Sequence, residues 1–79
     1  MPILEVVAGA VARAIGEPER AARLRADSPL DGLGIDSLAL LCVADLLEDA
    51  GWCLPEATAR EAVTIGDLAA GAVPAGNDA

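Results

Sequence analysis

The chain has 79 residues and a hydrophobic fraction of 54%, which is enough for one small core and predicts a single domain over residues 1–79. Its formal net charge is −8, and the part from Asp27 onward contains ten carboxylates and one cation, Arg60. This part would therefore repel nucleic acid and anionic lipid. It has no histidine, and Cys42 and Cys53 are too few and too unpatterned for a disulfide framework or a metal site.

The composition favours helices. Alanine, leucine and valine dominate, and Trp52, which we expect to serve packing, is the one aromatic residue; this predicts an all-α fold. No run approaches the roughly 20 apolar residues that cross a bilayer, and the start lacks a basic, signal-like region. We therefore expect a cytoplasmic protein that binds neither membrane nor nucleic acid and keeps both cysteines as reduced thiols.

The first predicted helix runs from Ile3 to Ile15, where apolar residues recur at helical spacing and Gly16 ends the pattern. A short extra turn is predicted from Glu17 through Leu24, because proline suits a first helical position. The connection over residues 16–36 is long for so small a domain, which is typical of a functional segment. We expect three of its apolar residues to pack against the core: Leu30, Leu33 and Ile35.

The second predicted helix runs from Ser37 to Ala50 and has two faces at about 100° per residue. The face predicted to join the core holds Leu40, Val43, Ala44 and Leu47. The opposite face combines apolar with acidic residues, with Leu46 at its margin: Leu38, Leu41, Cys42, Asp45, Glu48 and Asp49. Leucines ringed by carboxylates are typical of a docking surface, although single exposed leucines are also common on soluble proteins.

Two further helices are predicted after Gly51, which can adopt the left-handed conformation that ends a helix. A short third helix spans Glu56 to Glu61, and a last helix runs from Ile65 to about Val73. The last helix begins at a capping arrangement of Thr64 and Asp67. Pro74 stops it, and residues 74–79 are expected to form a frayed tail.

Ser37 is the most informative residue of the chain. A serine that performs its own chemistry needs a base, usually histidine, and the chain has none. Ser37 is therefore predicted to be modified by another enzyme, and the free N–H groups of the helix behind it suit an attached phosphate. The plainer interpretation is that Asp36 or Ser37 caps the helix, since both residue types are favoured there.

Three segments carry a recognisable pattern: Leu33-Gly34-Ile35-Asp36-Ser37-Leu38, Gly51-Trp52-Cys53-Leu54-Pro55 and Val63-Thr64-Ile65-Gly66-Asp67-Leu68. In their sequences and in their separations they resemble the acyl carrier protein family. The resemblance implies a small, non-catalytic four-helix bundle with a long loop after the first helix. It further implies that a phosphopantetheinyl transferase attaches phosphopantetheine from coenzyme A to Ser37, and that the thiol of this arm holds acyl groups as thioesters.

The resemblance also implies roles for residues near Ser37. Asp36 would assist recognition by the transferase and its metal. The partner-binding residues would be Leu38, Leu41, Asp45, Glu48 and Asp49. The partners would be acyl-loading, condensing and tailoring enzymes that dock on helix two of a monomeric carrier, which itself has no catalytic residue and no metal.

The pattern around Ser37 favours a polyketide or related specialised pathway, such as antibiotic biosynthesis. Fatty-acid carriers usually have an acidic residue soon after the Ser-Leu pair, where this chain has Ala39-Leu40-Leu41-Cys42. Peptide-synthetase carriers tend to have two glycines just before the serine, where this chain has Gly34 followed by Ile35-Asp36. The alternatives are a fatty-acid or aminoacyl/peptidyl carrier, an unmodified interaction module of the same fold, and a thiol enzyme using Cys42 or Cys53.

Overall fold

The computed structural model describes residues 2–75, and these form a mostly helical fold, as predicted. The α-helices are α1 (Ile3–Ala14), α2 (Ser37–Asp49), α3 (Glu56–Glu61) and α4 (Ile65–Gly71). Two 3₁₀ helices, Pro18–Arg23 and Asp31–Leu33, lie in the long connection between α1 and α2. Two short strands, β1 (Trp52–Cys53) and β2 (Val73–Pro74), pair antiparallel and were not predicted.

The core lies where α1 packs against α2 and α4. Its buried apolar side chains come from all three helices and from the connection: Val7, Ala10, Val11, Leu30, Ile35, Val43, Leu47, Ile65 and Leu68. Trp52 is half-buried against this cluster, as its predicted packing role requires. Full burial of a Val, Leu or Ile side chain stabilises the fold by about 1.5–3 kcal/mol. The helix α3 contributes no buried residue, so tertiary packing supports it less than the other three α-helices.

The long connection is tied to the start of α4. Leu30 is buried and donates its backbone N–H to the carbonyl of Val63 at 2.9 Å, while the N–H of Ile65 donates to the carbonyl of Ser28 at 3.1 Å. Leu30 and Ile35 are buried and Leu33 packs partly against the core, as predicted. The connection therefore enters α2 from a fixed position.

Gly66 permits a close approach between α4 and this connection. Its N–H donates to the carbonyl of Ala26 at 2.7 Å. A Cβ atom at this position would lie 2.8 Å from the same oxygen, closer than real Cβ contacts. A residue without a side chain is therefore required here.

The predicted extension of the last helix to Val73 is wrong. The helix α4 ends at Gly71, because the residue before a proline is driven to extended backbone and Pro74 has no N–H for the helix. Val73 and Pro74 pair with β1 instead, and the N–H of Ala75 donates to the carbonyl of Gly51 at 2.9 Å. Of the tail predicted over residues 74–79, the part from 76 to 79 lies outside the described residues.

The two predicted faces of α2 are confirmed with two corrections, at Ala44 and Leu46. Leu46, predicted at the margin of the outward face, packs partly against the core instead. Val43 and Leu47 are fully buried, and Leu40 packs partly against the core. Ala44 is half-buried but does not join the core cluster, because it lies on the side of α2 that turns toward α3. No helix in the part of the chain that the structure describes has the length and apolar character to cross a membrane.

Candidate functional site

The site begins at the turn into α2. Gly34, with a φ of +79°, ends the second 3₁₀ helix, and buried Ile35 anchors the chain just before Asp36. Asp36 has extended backbone and is the N-cap residue, and its carboxylate accepts a hydrogen bond from the N–H of Ala39 at 2.8 Å. Ser37 is the first residue of α2. Of the two possible caps, the structure therefore selects Asp36.

Ser37 is exposed, and among residues 2–75 its hydroxyl has no hydrogen-bond partner. The backbone N–H groups of Ser37 and Leu38 also donate to no acceptor within this range. Such free N–H groups and the positive end of the helix dipole favour an anion beside the hydroxyl.

Ser28 has a different environment. It lies half-buried in the long connection, and its hydroxyl oxygen accepts a hydrogen bond from the N–H of Arg25 at 2.9 Å. Its backbone carbonyl accepts a hydrogen bond from the N–H of Ile65. Of the two serines in the chain, Ser37 therefore has the accessible hydroxyl.

A groove of about 410 Å³ lies between α2 and α3 and includes Ser37. Its other lining residues are largely apolar: Leu40, Leu41, Ala44, Leu54, Glu56, Ala59 and Arg60. A flexible chain attached at Ser37 can lie along this groove and bury apolar atoms there. The groove was not predicted from the sequence, because its walls come from helices separated along the chain.

The outer face of α2 carries the remaining predicted site residues. Leu38 is 71% exposed and Leu41 is 64% exposed, and the two lie about one turn apart on α2. Exposed carboxylates lie on the same helix face: Asp45, Glu48 and Asp49. The structure thus brings the five predicted docking residues to one surface, which we call the α2 face.

A second cleft, of about 480 Å³, lies on another side of the α2 N-terminus. It is lined by the end of α1, the first 3₁₀ helix and the start of α2, and it includes Arg20, Asp36 and Cys42. Cys42 is exposed on α2 and is not bonded to Cys53.

Asp67 serves the start of α4. Its carboxylate accepts hydrogen bonds from the N–H groups of Val63 at 2.9 Å and Thr64 at 3.1 Å, and Thr64 Oγ1 accepts from the N–H of Asp67. This is the predicted capping arrangement, completed in both directions. The same two N–H groups, that of Val63 most, lower the pKa of Asp67 because they stabilise its charged form.

Comparison with protein families supplies the decisive observation. A family model described as the phosphopantetheine attachment site matches residues 5–71. The chain belongs to this family. No curated protein and no solved structure gives a significant match to the chain. The phosphopantetheine attachment domain is the site at which 4′-phosphopantetheine is covalently attached, and carrier domains interact with phosphopantetheinyl transferases and biosynthetic enzymes.

The residues around the α2 N-terminus fit this group. A phosphate ester needs an accessible hydroxyl, which Ser37 has, and it is favoured by the free N–H groups of Ser37 and Leu38. The groove between α2 and α3 offers an apolar surface beside this hydroxyl, against which the apolar atoms of the arm can lie. The predicted fold and cofactor are thus consistent with the geometry of this part of the chain.

Proposed function

We propose that Ser37 carries the phosphopantetheine arm and that the chain is a non-catalytic acyl carrier. The observation that supports this proposal is the exposed, unbonded Ser37 hydroxyl at the first position of α2, beside two free backbone N–H groups. When bound, the arm supplies a thiol that can hold an acyl group as a thioester. The protein supplies the attachment oxygen, an environment favourable to the phosphate, and the groove.

The carrier role needs no catalytic group in the chain itself. A flexible tether converts delivery of an acyl group into an encounter at high effective concentration within a docked complex. The chain has no histidine that could act as a base for Ser37. The chemistry accordingly belongs to the partner enzymes in this proposal.

The α2 face is the proposed docking surface. Leu38 and Leu41 form an apolar centre, and the neighbouring carboxylates form an acidic rim, an arrangement suited to a basic partner with an apolar contact point. Asp36 is proposed to assist the transferase. One of its carboxylate oxygens caps α2 at Ala39, and the second accepts no hydrogen bond within the described range, so it stays available to a partner or its metal.

We further propose a polyketide or related specialised pathway, with the chain acting as one domain, a monomeric four-helix carrier. The support is the absence of an acidic residue in Ala39-Leu40-Leu41-Cys42 and the Ile35 that follows Gly34, where peptide-synthetase carriers tend to have a second glycine. Intact mass of the protein from its native host tests this part, because the mass of the bound acyl group distinguishes ketide, fatty-acyl and aminoacyl cargo. An aminoacyl mass would contradict the polyketide assignment.

The attachment site is tested by incubating the protein with coenzyme A and a phosphopantetheinyl transferase of broad specificity. Wild type and Ser28→Ala should each gain one phosphopantetheinyl mass, and Ser37→Ala should gain none. Peptide mapping should locate the added mass on Ser37. Modification retained in Ser37→Ala would overturn the assignment, whereas a wild type that stays unmodified would favour the unmodified interaction module.

A further inference from the structure

We propose that Arg60 is a positioning residue that pairs with the phosphodiester formed on Ser37 and holds the start of the arm over the groove between α2 and α3. This inference rests on the proposed attachment at Ser37. Its starting observation is that Arg60, on α3, and Ser37, on α2, line the same groove. A group bonded to the Ser37 oxygen therefore begins at a surface that already contains a guanidinium.

The distribution of charge makes Arg60 the cation suited to this task. From Asp27 onward the chain has ten carboxylates and one cation, which is Arg60. A phosphodiester adds a negative charge beside Asp36, in a groove that also contains Glu56. Like charges repel, so these carboxylates oppose the new anion, and a cation nearby would offset that repulsion.

Arg60 is available for a new partner. Its guanidinium lies 3.6 Å from the carboxylate of Glu56, beyond hydrogen-bond distance, and the two side chains are 71% and 89% exposed. An exposed pair of this kind contributes little and exchanges readily. Guanidinium also offers a planar set of N–H donors that matches phosphate oxygens, which lysine lacks.

Arg20 provides a matched comparison. It lines the second cleft, together with Asp36, but that cleft does not include Ser37. Its guanidinium is hydrogen-bonded to Glu17 at 3.3 Å. Arg20 therefore shares the charge and the general neighbourhood of Arg60 without sharing the groove, and Arg20→Gln changes the net charge by the same amount as Arg60→Gln.

The experiment compares apo and holo protein by NMR at low salt, following the side-chain Nε–H signals of the arginines. On attachment, the Arg60 signal should shift strongly and the Arg20 signal little, and added salt should reduce the shift. Thermal unfolding gives a second readout. The change in Tm on attachment should be less favourable in Arg60→Gln than in wild type, by on the order of 2 °C. Arg60→Lys should give a change between these two, and Arg20→Gln should respond like wild type.

Mass spectrometry of the same samples separates the two proposals. If the added mass maps to Ser37 but the Arg60 signal does not move, or if Arg60→Gln and Arg20→Gln respond alike to attachment, the role of Arg60 is overturned while Ser37 stands. If no mass is added, or if it maps to another residue, the attachment proposal fails and this inference fails with it.

Discussion

The Asp36 carboxylate accepts the N–H of Ala39 at 2.8 Å, and so the aspartate, not the neighbouring Ser37, caps α2. Asp36 therefore has the structural role at the start of the helix, and the Ser37 hydroxyl has none. An N-cap carboxylate can be essential to the helix, whereas a hydroxyl at the first helical position can be modified without loss of a hydrogen bond.

The first prediction compares loss of the Asp36 cap with loss of the Ser37 hydroxyl. Asp36→Ala should lower the free energy of unfolding by about 1 kcal/mol, because α2 loses its cap. Ser37→Ala should change it by about 0.5 kcal/mol or less, since no bond is lost and alanine favours helix. Urea unfolding followed by circular dichroism measures both. Equal destabilisation by the two variants would contradict the assignment of the cap.

A second prediction concerns the two faces of α2. Leu47 is fully buried, so Leu47→Ala should cost about 2–5 kcal/mol of unfolding free energy through lost contacts and a cavity. Leu41→Ala is the matched control on the opposite face, where the side chain is 64% exposed, and it should cost about 0.5 kcal/mol or less. Denaturant titrations of both variants test the orientation. A harmless Leu47→Ala would mean that α2 is rotated from its described position.

The charges of the α2 face should act on association more than on folding. Replacing Asp45 and Glu48 together by lysine should lower kcat/KM for modification by a transferase roughly tenfold at low salt. The loss should shrink as salt screens the surface. The helical circular-dichroism spectrum should be unchanged, because exposed charges contribute only about 0–1 kcal/mol to stability.

The control is a double variant that changes the net charge by the same amount outside the α2 face. Asp27 and Glu61 are exposed and lie outside α2, and their joint replacement by lysine should leave kcat/KM near the wild-type value. An equal effect of the two double variants would show that net charge, and not the α2 face, governs the encounter.

Asp67 predicts a dependence of stability on pH. Its pKa is held below the ordinary value of 3.8 by the N–H groups of Val63 and Thr64. The unfolded chain therefore binds this proton at a higher pH than the folded one. The resulting stabilisation is fully present above pH 3.8 and is lost as the pH falls through the lower folded-state value.

Asp67→Asn should accordingly be less stable than wild type at neutral pH, and the difference should narrow in acid. Unfolding curves from pH 7 to pH 2 test this. Glu61→Gln removes a carboxylate that accepts no hydrogen bond in the described part of the chain, and serves as the control. A gap between wild type and Asp67→Asn that stayed constant with pH would argue against the capping role of the charge.

Much of the helical structure was predictable because its signals are local. The bounds of α3 were predicted as observed, and α1 and α2 each end one residue earlier than predicted. The capping pair of Thr64 and Asp67 was also visible, since its members lie three residues apart and act on one turn. The end of α4 was predicted about two residues too late, because Pro74 drives the preceding Val73 to extended backbone.

The chain's own residues determined the helices, the acidic face of α2 and the position of Ser37, because spacing along one helix fixes which side chains share a face. Tertiary structure alone decided the pairing of Trp52 with Pro74, the position of Ala44 beside α3, and the groove that joins Ser37 to Arg60. These features depend on contacts between segments distant in sequence. No local pattern encodes such contacts, since they form only when α1 packs against α2 and α4 and α3 packs against α4.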